Sequence, residues 1–167
     1  MYQFRKAELS DIDAILVIVA EAQVLLASNG VDQWQDGYPN RDVMMTDIDN
    51  GNCYVMLDAD RVIAFGVVVF DGEAAYDDLH GGKWLTNDPY ITLHRFAITA
   101  TQRGKGYAMH FIRFAEQLAA ERGFKSFRLD THADNNIMQG LAQKAGFTYC
   151  GVVYYDSGSR YAYEKLL

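Results

Sequence analysis

Cysteine, proline and histidine are scarce in this chain: two, two and four among 167 residues. Cys53 and Cys150 stand alone, without C-x-x-C spacing or a histidine cluster beside them. That argues against a zinc framework and a dithiol redox pair, and predicts two buried free thiols. With so few prolines, half the residues apolar and 22% charged, the composition is that of a folded globular chain and not a disordered one. Cations are also in deficit, 15 Lys and Arg against 22 Asp and Glu, for a net charge of −7. That argues against nucleic-acid binding by bulk electrostatics, because phosphate contacts need Lys and Arg gathered on one face; cationic partners are mildly favoured. Apolar runs such as "VIAFGVVVF" are too short to span a bilayer, and the opening "MYQFRKAELSD" lacks the apolar core of a signal peptide. The expectation is a cytoplasmic protein without a membrane partner, built as one domain over residues 1–167.

What is present is a steady alternation of helical and strand-like patterns. Ser10 followed by Asp13 resembles a capping box, and Ile12, Ile15, Leu16 and Val19 follow the spacing of an amphipathic helix that should end near Gly30. "VDQWQDGYPNRD" reads as a loop, followed by a short helix from about Arg41 to Asn50. "NCYVMLDADRVIAFGVVVF" is a β-hairpin turning at Asp58 to Asp60, its second arm apolar enough to be covered on both faces. A polar, turn-rich stretch containing His80 as a loop residue leads to the strand "YITLHRFAI". Then come a helix from Tyr107 capped near Gly123, the strand "KSFRLDT", a helix from about Asn135 to Gly146, and two final strands around Asp156 to Ser159. The order implies a mixed sheet with helices on it.

The stretch carrying most chemistry is "RGKGYA", Arg103 to Ala108, between a strand end and a helix start. The first turn of a helix has unpaired N–H groups and a partial positive charge, and glycines at 104 and 106 let a ligand approach the backbone closely. A phosphate cradle and a ligand-free tight turn both fit. A P-loop string is absent, and Met109 stands where a dinucleotide fingerprint needs its third glycine, so nucleotide hydrolysis and Rossmann-type redox chemistry lose their support.

Arg103 to Ala108 resembles the [Q/R]-x-x-G-x-[G/A] signature of the GNAT superfamily, the acetyl-CoA-dependent N-acetyltransferases. Asn135, Leu141, Lys144 and Gly146-Phe147 match a second segment of that family at the same spacing. The resemblance implies an α/β fold with a mixed, mostly antiparallel central sheet of about six or seven strands flanked by about four helices. It implies acetyl-CoA as co-substrate without a metal, with its pyrophosphate held by Arg103, Gly104, Lys105, Gly106, Tyr107 and Ala108. Its pantetheine would lie along Phe96, Ala97 and Ile98, and Asn135 would touch it. The acceptor would be the primary amine of a small molecule or peptide, attacking the thioester directly. The family's thiolate-protonating Tyr is replaced by Ala142, so the general acid is unassigned, with Tyr107, Tyr149, Tyr154 and Tyr155 as substitutes; an acyl-CoA-binding regulatory module without turnover is the alternative.

By strand alternation Thr92, His94 and Phe96 should share a face, and His94 is there the residue type that titrates near neutral pH, so it is either the base or a hydrogen-bonded structural histidine. Trp34, with Gln33 beside it, is a lid over the core or an aromatic wall for the substrate; the family's use of this loop for the acceptor points to the second, with Asp32 and Asp36 available to a cationic amine. Asp130, His132 and Asp134 alternate but lack a second ligand group, so they read as a strand-end turn and not a metal site. Cys150 has no base near it in sequence to make it a nucleophile. Exposed edge strands near "VVYYDSGSRYAYEKLL" offer pairing between subunits in a homodimer.

Overall fold

The computed structural model describes residues 1–167. Seven strands form one sheet in the order β1-β2-β3-β4-β5-β7-β6, and four helices accompany it, as expected. The strands are β1 Tyr2–Lys6, β2 Cys53–Asp58, β3 Arg61–Val69, β4 Ile91–Ile98, β5 Ser126–Thr131, β6 Thr148–Tyr155 and β7 Gly158–Leu166. The helices are α1 Ile12–Ser28, α2 Arg41–Asp49, α3 Tyr107–Glu121 and α4 Asn136–Lys144. Pairing is antiparallel for β1 with β2, β2 with β3, β5 with β7 and β6 with β7; β4 and β5 are parallel. The fold divides into two compact units, Met1–Val68 with His94–Phe111, and Val69–Leu93 with Ile112–Leu167.

In the first unit, β3 is buried from Ile63 to Val68, which accounts for its unbroken apolar run. Ile12, Ile15 and Val19 place the inner face of α1 in the core as predicted, joined by Ile18 and Ala22, while Leu16 is only half-buried. Phe111 anchors the start of α3, its ring 5.5 Å from Phe4 and 5.0 Å from Phe96. The entry to α1 differs from expectation. A short 3-10 turn, Leu9–Asp11, precedes the helix, and the capping box is made by Glu8 and Asp11, not by Ser10 and Asp13. Asp11 is recruited because Arg5 on β1 reaches it with two bonds, 2.7 and 3.0 Å, while the Glu8 N–H donates to it at 2.8 Å. The bond from Arg5 holds the Asp11 carboxyl below its ordinary range.

The second unit is organised around buried polar groups. Glu164 on β7 is 0% exposed; it accepts from Ser126 Oγ at 2.6 Å, from Arg128 Nε at 3.1 Å and from the Leu85 N–H. The Arg128 guanidinium lies 4.1 Å from both the Trp84 and Tyr90 rings and donates to the Thr86 carbonyl at 2.7 Å. This pins the polar stretch before β4 onto the sheet. The same stretch closes the outer edge of β6. His80, expected in a loop, forms an isolated antiparallel bridge with Val152, its N–H and carbonyl both bonded at 2.8 Å. The approach is so close that a Cβ on Gly82 would fall 1.9 Å from the Cys150 carbonyl oxygen, and one on Gly151 would fall 2.4 Å from that of His80. Both cysteines are buried and free, as predicted.

The Asp11 environment has a testable consequence. A carboxyl whose folded pKa is lowered contributes stability that is present above its unfolded pKa and is lost as pH falls through the folded value. Asp11→Ala should therefore cost about 2 kcal/mol at pH 7, a charged hydrogen bond plus the lost cap. In urea unfolding the gap to the wild type should begin to narrow once pH drops below the ordinary aspartate value of about 4 and keep narrowing as pH falls through the lower folded value. A gap independent of pH would overturn the assignment.

Candidate active site

Between β4 and α3 the chain passes through a 3-10 turn, Ala100–Gln102, and then Arg103 to Gly106. The entry is tied to α1: Glu21 Oε2 accepts from Thr99 Oγ1 and from the Ala100 N–H, both at 2.8 Å. Arg103 folds back along the strand, its Nε donating to the Ile98 carbonyl at 3.3 Å, while its Nη2 is buried and has no hydrogen-bond partner in the chain. Lys105 reaches back to Gln102 Oε1 at 3.1 Å. Gly104 and Gly106 have φ of +75° and +84°, the left-handed region that glycine occupies without strain. A Cβ on either would meet nothing within 4 Å, so the glycine side of the turn is open.

The first backbone bonds of α3 run from the Met109 and His110 N–H groups to the Gly106 carbonyl, at 3.2 and 3.4 Å. The N–H groups of five successive residues, Gly104 to Ala108, therefore make no hydrogen bond within the chain. Five donors at the positive end of a helix, with an unpartnered guanidinium nitrogen on Arg103, are the kind of arrangement that suits a multiply charged anion. The residues predicted as a cradle are thus brought together by one turn.

Strand β4 departs from the expected alternation. Its ladder to β5 takes in only Ile91 and Thr92. Arg95 then adopts φ +46°, a left-handed value that bends a strand and resets which side its residues face. Phe96, just past the kink, turns its ring onto Phe111, 5.0 Å between centroids. Phe96, Ala97 and Ile98 lie outside the β5 ladder. His94 is half-buried at the residue before the kink.

Arg95 is held by α2. Its Nε and Nη2 donate to the two oxygens of Asp47 at 2.6 and 2.7 Å, and its Nη1 donates to the Tyr38 hydroxyl at 2.9 Å. Burial opposes the charge of Arg95, but the bonds to Asp47 and Tyr38 outweigh it and raise its pKa above the usual guanidinium value. Tyr38 ends the loop that carries Gln33 and Trp34, both half-buried. That loop is laced to α1 through Gln35 Nε2 to the Gln23 carbonyl, 3.0 Å, and Gln23 Nε2 to the Tyr38 carbonyl, 3.2 Å. Trp34 itself has φ +62°. Asp32 and Asp36 are exposed.

In the second unit, Asn135 caps α4, its Oδ1 accepting from the Met138 N–H at 3.1 Å. Ala142 is fully buried on α4, so the position at which the family resemblance leads one to expect a Tyr here faces the core. Of the substitute tyrosines, Tyr155 donates to Asp130 Oδ2 at 2.8 Å, sharing that oxygen with Tyr76 at 2.7 Å; burial and then the Asp130 charge push its pKa well up. Tyr149 and Tyr154 are exposed, and Tyr149 stacks edge-on to Tyr161 and Tyr163. In the first unit, Tyr107 packs edge-on to Tyr2 in the first turn of α3. His132 Nδ1 lies 3.6 Å from Asp134. Burial pushes the Cys53 thiol up to about 12 and raises that of Cys150, which removes both as nucleophiles at neutral pH.

Glu21, Tyr38, Asp47 and Arg95 escape a sequence search for chemistry. Asp47 left a trace, since it falls three residues after Met44 and just before Ile48, on the buried face of α2. Arg95 left another as a charge within "YITLHRFAI".

Gly106→Val would put a branched side chain into the open space beside the five donors and force it to hold φ +84°. Calorimetry with acetyl-CoA should show at least about a tenfold loss of affinity, with about 1–2 kcal/mol lost in stability from backbone strain. An unchanged dissociation constant would remove the cradle.

The model of the acetyltransferase (GNAT) family matches residues 19–147. Among solved structures, a GNAT-family acetyltransferase from Streptococcus agalactiae 2603 is 38% identical over 99% of this chain and 95% of its own, with a TM-score of 0.91. A GNAT-family acetyltransferase from Listeria monocytogenes 4b F2365 is 23% identical, with 99% and 95% covered and a TM-score of 0.76. The PaiA N-acetyltransferase from Thermoplasma acidophilum, in complex with coenzyme A, is 16% identical over 100% and 99%, with a TM-score of 0.72. These last two show the fold alone. No curated protein is a significant match. With the family model covering residues 19–147 and a solved relative at 38% identity spanning nearly its whole length, the chain belongs to the acetyltransferase (GNAT) family, whose chemistry is acetyl transfer.

Proposed function

We propose that this protein is an N-acetyltransferase that moves the acetyl group of acetyl-CoA to the primary amine of a small molecule or peptide. The observation that carries this is the run of five unpaired N–H groups from Gly104 to Ala108, opening onto free space beside two left-handed glycines. A pyrophosphate needs several converging donors and close backbone approach, and this turn supplies both. Arg103 adds a guanidinium nitrogen with no competing partner. The backbone of Phe96, Ala97 and Ile98, outside the β5 ladder, is suited to an extended pantetheine amide chain.

Acetyl-CoA supplies an acetyl thioester. The amine nitrogen attacks its carbonyl carbon, a C–N bond forms, the C–S bond breaks, the nitrogen loses a proton and the sulfur leaves as a thiolate. An alkylammonium with a pKa near about 10.4 must be deprotonated first, and His94 on β4, beside the kink at Arg95, is the base we assign. The leaving thiolate, with a conjugate acid near about 8.5, is stable enough to be protonated by water, so the core-facing Ala142 does not block turnover. Trp34 and Gln33 form the acceptor wall, and the net charge of −7 favours a cationic acceptor. Neither thiol contributes, so no acetyl-enzyme forms on cysteine.

Free-thiol release measured over polyamines, amino acids and peptide N-termini should find at least one amine that is turned over. Binding of acetyl-CoA with no thiol released by any amine would favour a regulatory acyl-CoA module instead. With an active amine in hand, His94→Ala should lower turnover about 10²-fold near neutral pH and remove the acidic limb of the pH profile. A profile identical to wild type would exclude His94 as the base.

A further inference from the structure

We propose that Arg95 is a positioning residue for the acceptor: its one guanidinium fastens both α2 and the Gln33–Tyr38 loop to the kink of β4. The inference rests on the acetyl-transfer function proposed for this chain. Three donors of Arg95 are committed at once, Nε and Nη2 to the two Asp47 oxygens and Nη1 to the Tyr38 hydroxyl, at 2.6, 2.7 and 2.9 Å. The carboxylate it grips is itself inaccessible, since Asp47 is 7% exposed. A bidentate charged pair of this geometry is strong, and breaking it would strand a buried carboxylate.

The position of Arg95 in the chain makes the clamp consequential. A non-glycine residue at φ +46° costs on the order of 1–3 kcal/mol and persists only where its surroundings hold it. The immediate neighbours of that torsion are His94, the assigned base, and Phe96, whose ring is locked on Phe111. The same side chain reaches the residue that closes the loop bearing Trp34. Base, pantetheine strand and acceptor loop are therefore set by one group that touches none of the reacting atoms.

Lysine cannot substitute. A single ammonium on a flexible stem cannot meet both Asp47 oxygens and the Tyr38 hydroxyl together. Tyr38→Phe removes one of the three bonds and leaves the Asp47 pair intact, so it releases the loop without disturbing the kink.

The test uses the full-length protein carrying Arg95→Lys or Tyr38→Phe, followed by amide hydrogen exchange and by thiol release with whichever amine the wild type turns over. Exchange across residues 31–40 should rise at least about fivefold in both variants, while the amides of α3 keep their wild-type rates. In Tyr38→Phe, KM for the amine should rise at least about tenfold with kcat within about threefold and calorimetric affinity for acetyl-CoA changed less than about twofold; Arg95→Lys, which also loosens the kink beside His94, should lower kcat as well. Unchanged loop exchange and amine KM in both variants would overturn the proposal. So would a parallel loss of kcat, amine affinity and acetyl-CoA affinity in Tyr38→Phe, the mark of a merely structural bond. If the wild type binds acetyl-CoA but acetylates no amine, the functional proposal fails by itself, and the exchange result alone decides whether the clamp holds the loop.

Discussion

A single guanidinium–carboxylate pair keeps β4 from being an ordinary strand. Left to its propensities, "ITLHRF" would run straight, with alternate residues on opposite faces. The left-handed torsion at Arg95 interrupts that pattern, and the two bonds from Arg95 to Asp47 hold it in place. Much of the first unit's arrangement near the site follows from this. Phe96 is delivered to Phe111 at the root of α3, and helix α2 is fixed by Asp47 on its buried face. The glycine turn is anchored separately, through Glu21 on α1, so Arg95 within β4 and Thr99 just after it are each tied to a helix by a carboxylate.

The second unit solves a similar problem with more complete burial. Glu164 has no exposure, and an isolated carboxylate there would be prohibitively costly. Arg128, Ser126 and the Leu85 N–H satisfy it, and the Trp84 and Tyr90 rings cover the guanidinium. Replacing one member of such a network leaves the others charged and unpaired, which is why the polar segment before β4 is well placed despite having almost no regular structure. Asp130 plays a lesser version of the same part by accepting from two phenols, an arrangement that keeps Tyr76 and Tyr155 protonated.

The sequence is most legible where one local signal decides the outcome. Helices α1 to α4, the β2–β3 hairpin and the β6–β7 hairpin follow from periodicity and turn residues. The glycine turn between β4 and α3 is legible for the same reason: two glycines, a preceding strand and a following helix are all within about ten residues, and the conformation they need is local. What escapes is long-range. Nothing near Ser10 reveals that Arg5 will draw Asp11 into the cap, because that depends on β1 lying beside the helix entry. Nothing in "HRF" reveals a left-handed residue, because arginine has no such preference and the partner that grips its side chain, Asp47, lies 48 positions earlier. His80 looks like a loop residue because its strand partner, Val152, lies far along the chain.

That short bridge has a wider effect than its size suggests. The glycines at 82 and 151 let two backbones touch with no side chain between them, so the stretch from Leu79 to Gly82 acts as a steric key cut for one position along β6. Sliding it one residue would press Lys83 or Gly81 against a carbonyl now matched to Gly82, and in the first case a full side chain would have no room. The hydrogen-bonding groups of Val152 that an outside strand would seek are already engaged by the chain's own His80. Any second molecule extending the sheet along this edge would first have to unzip the key.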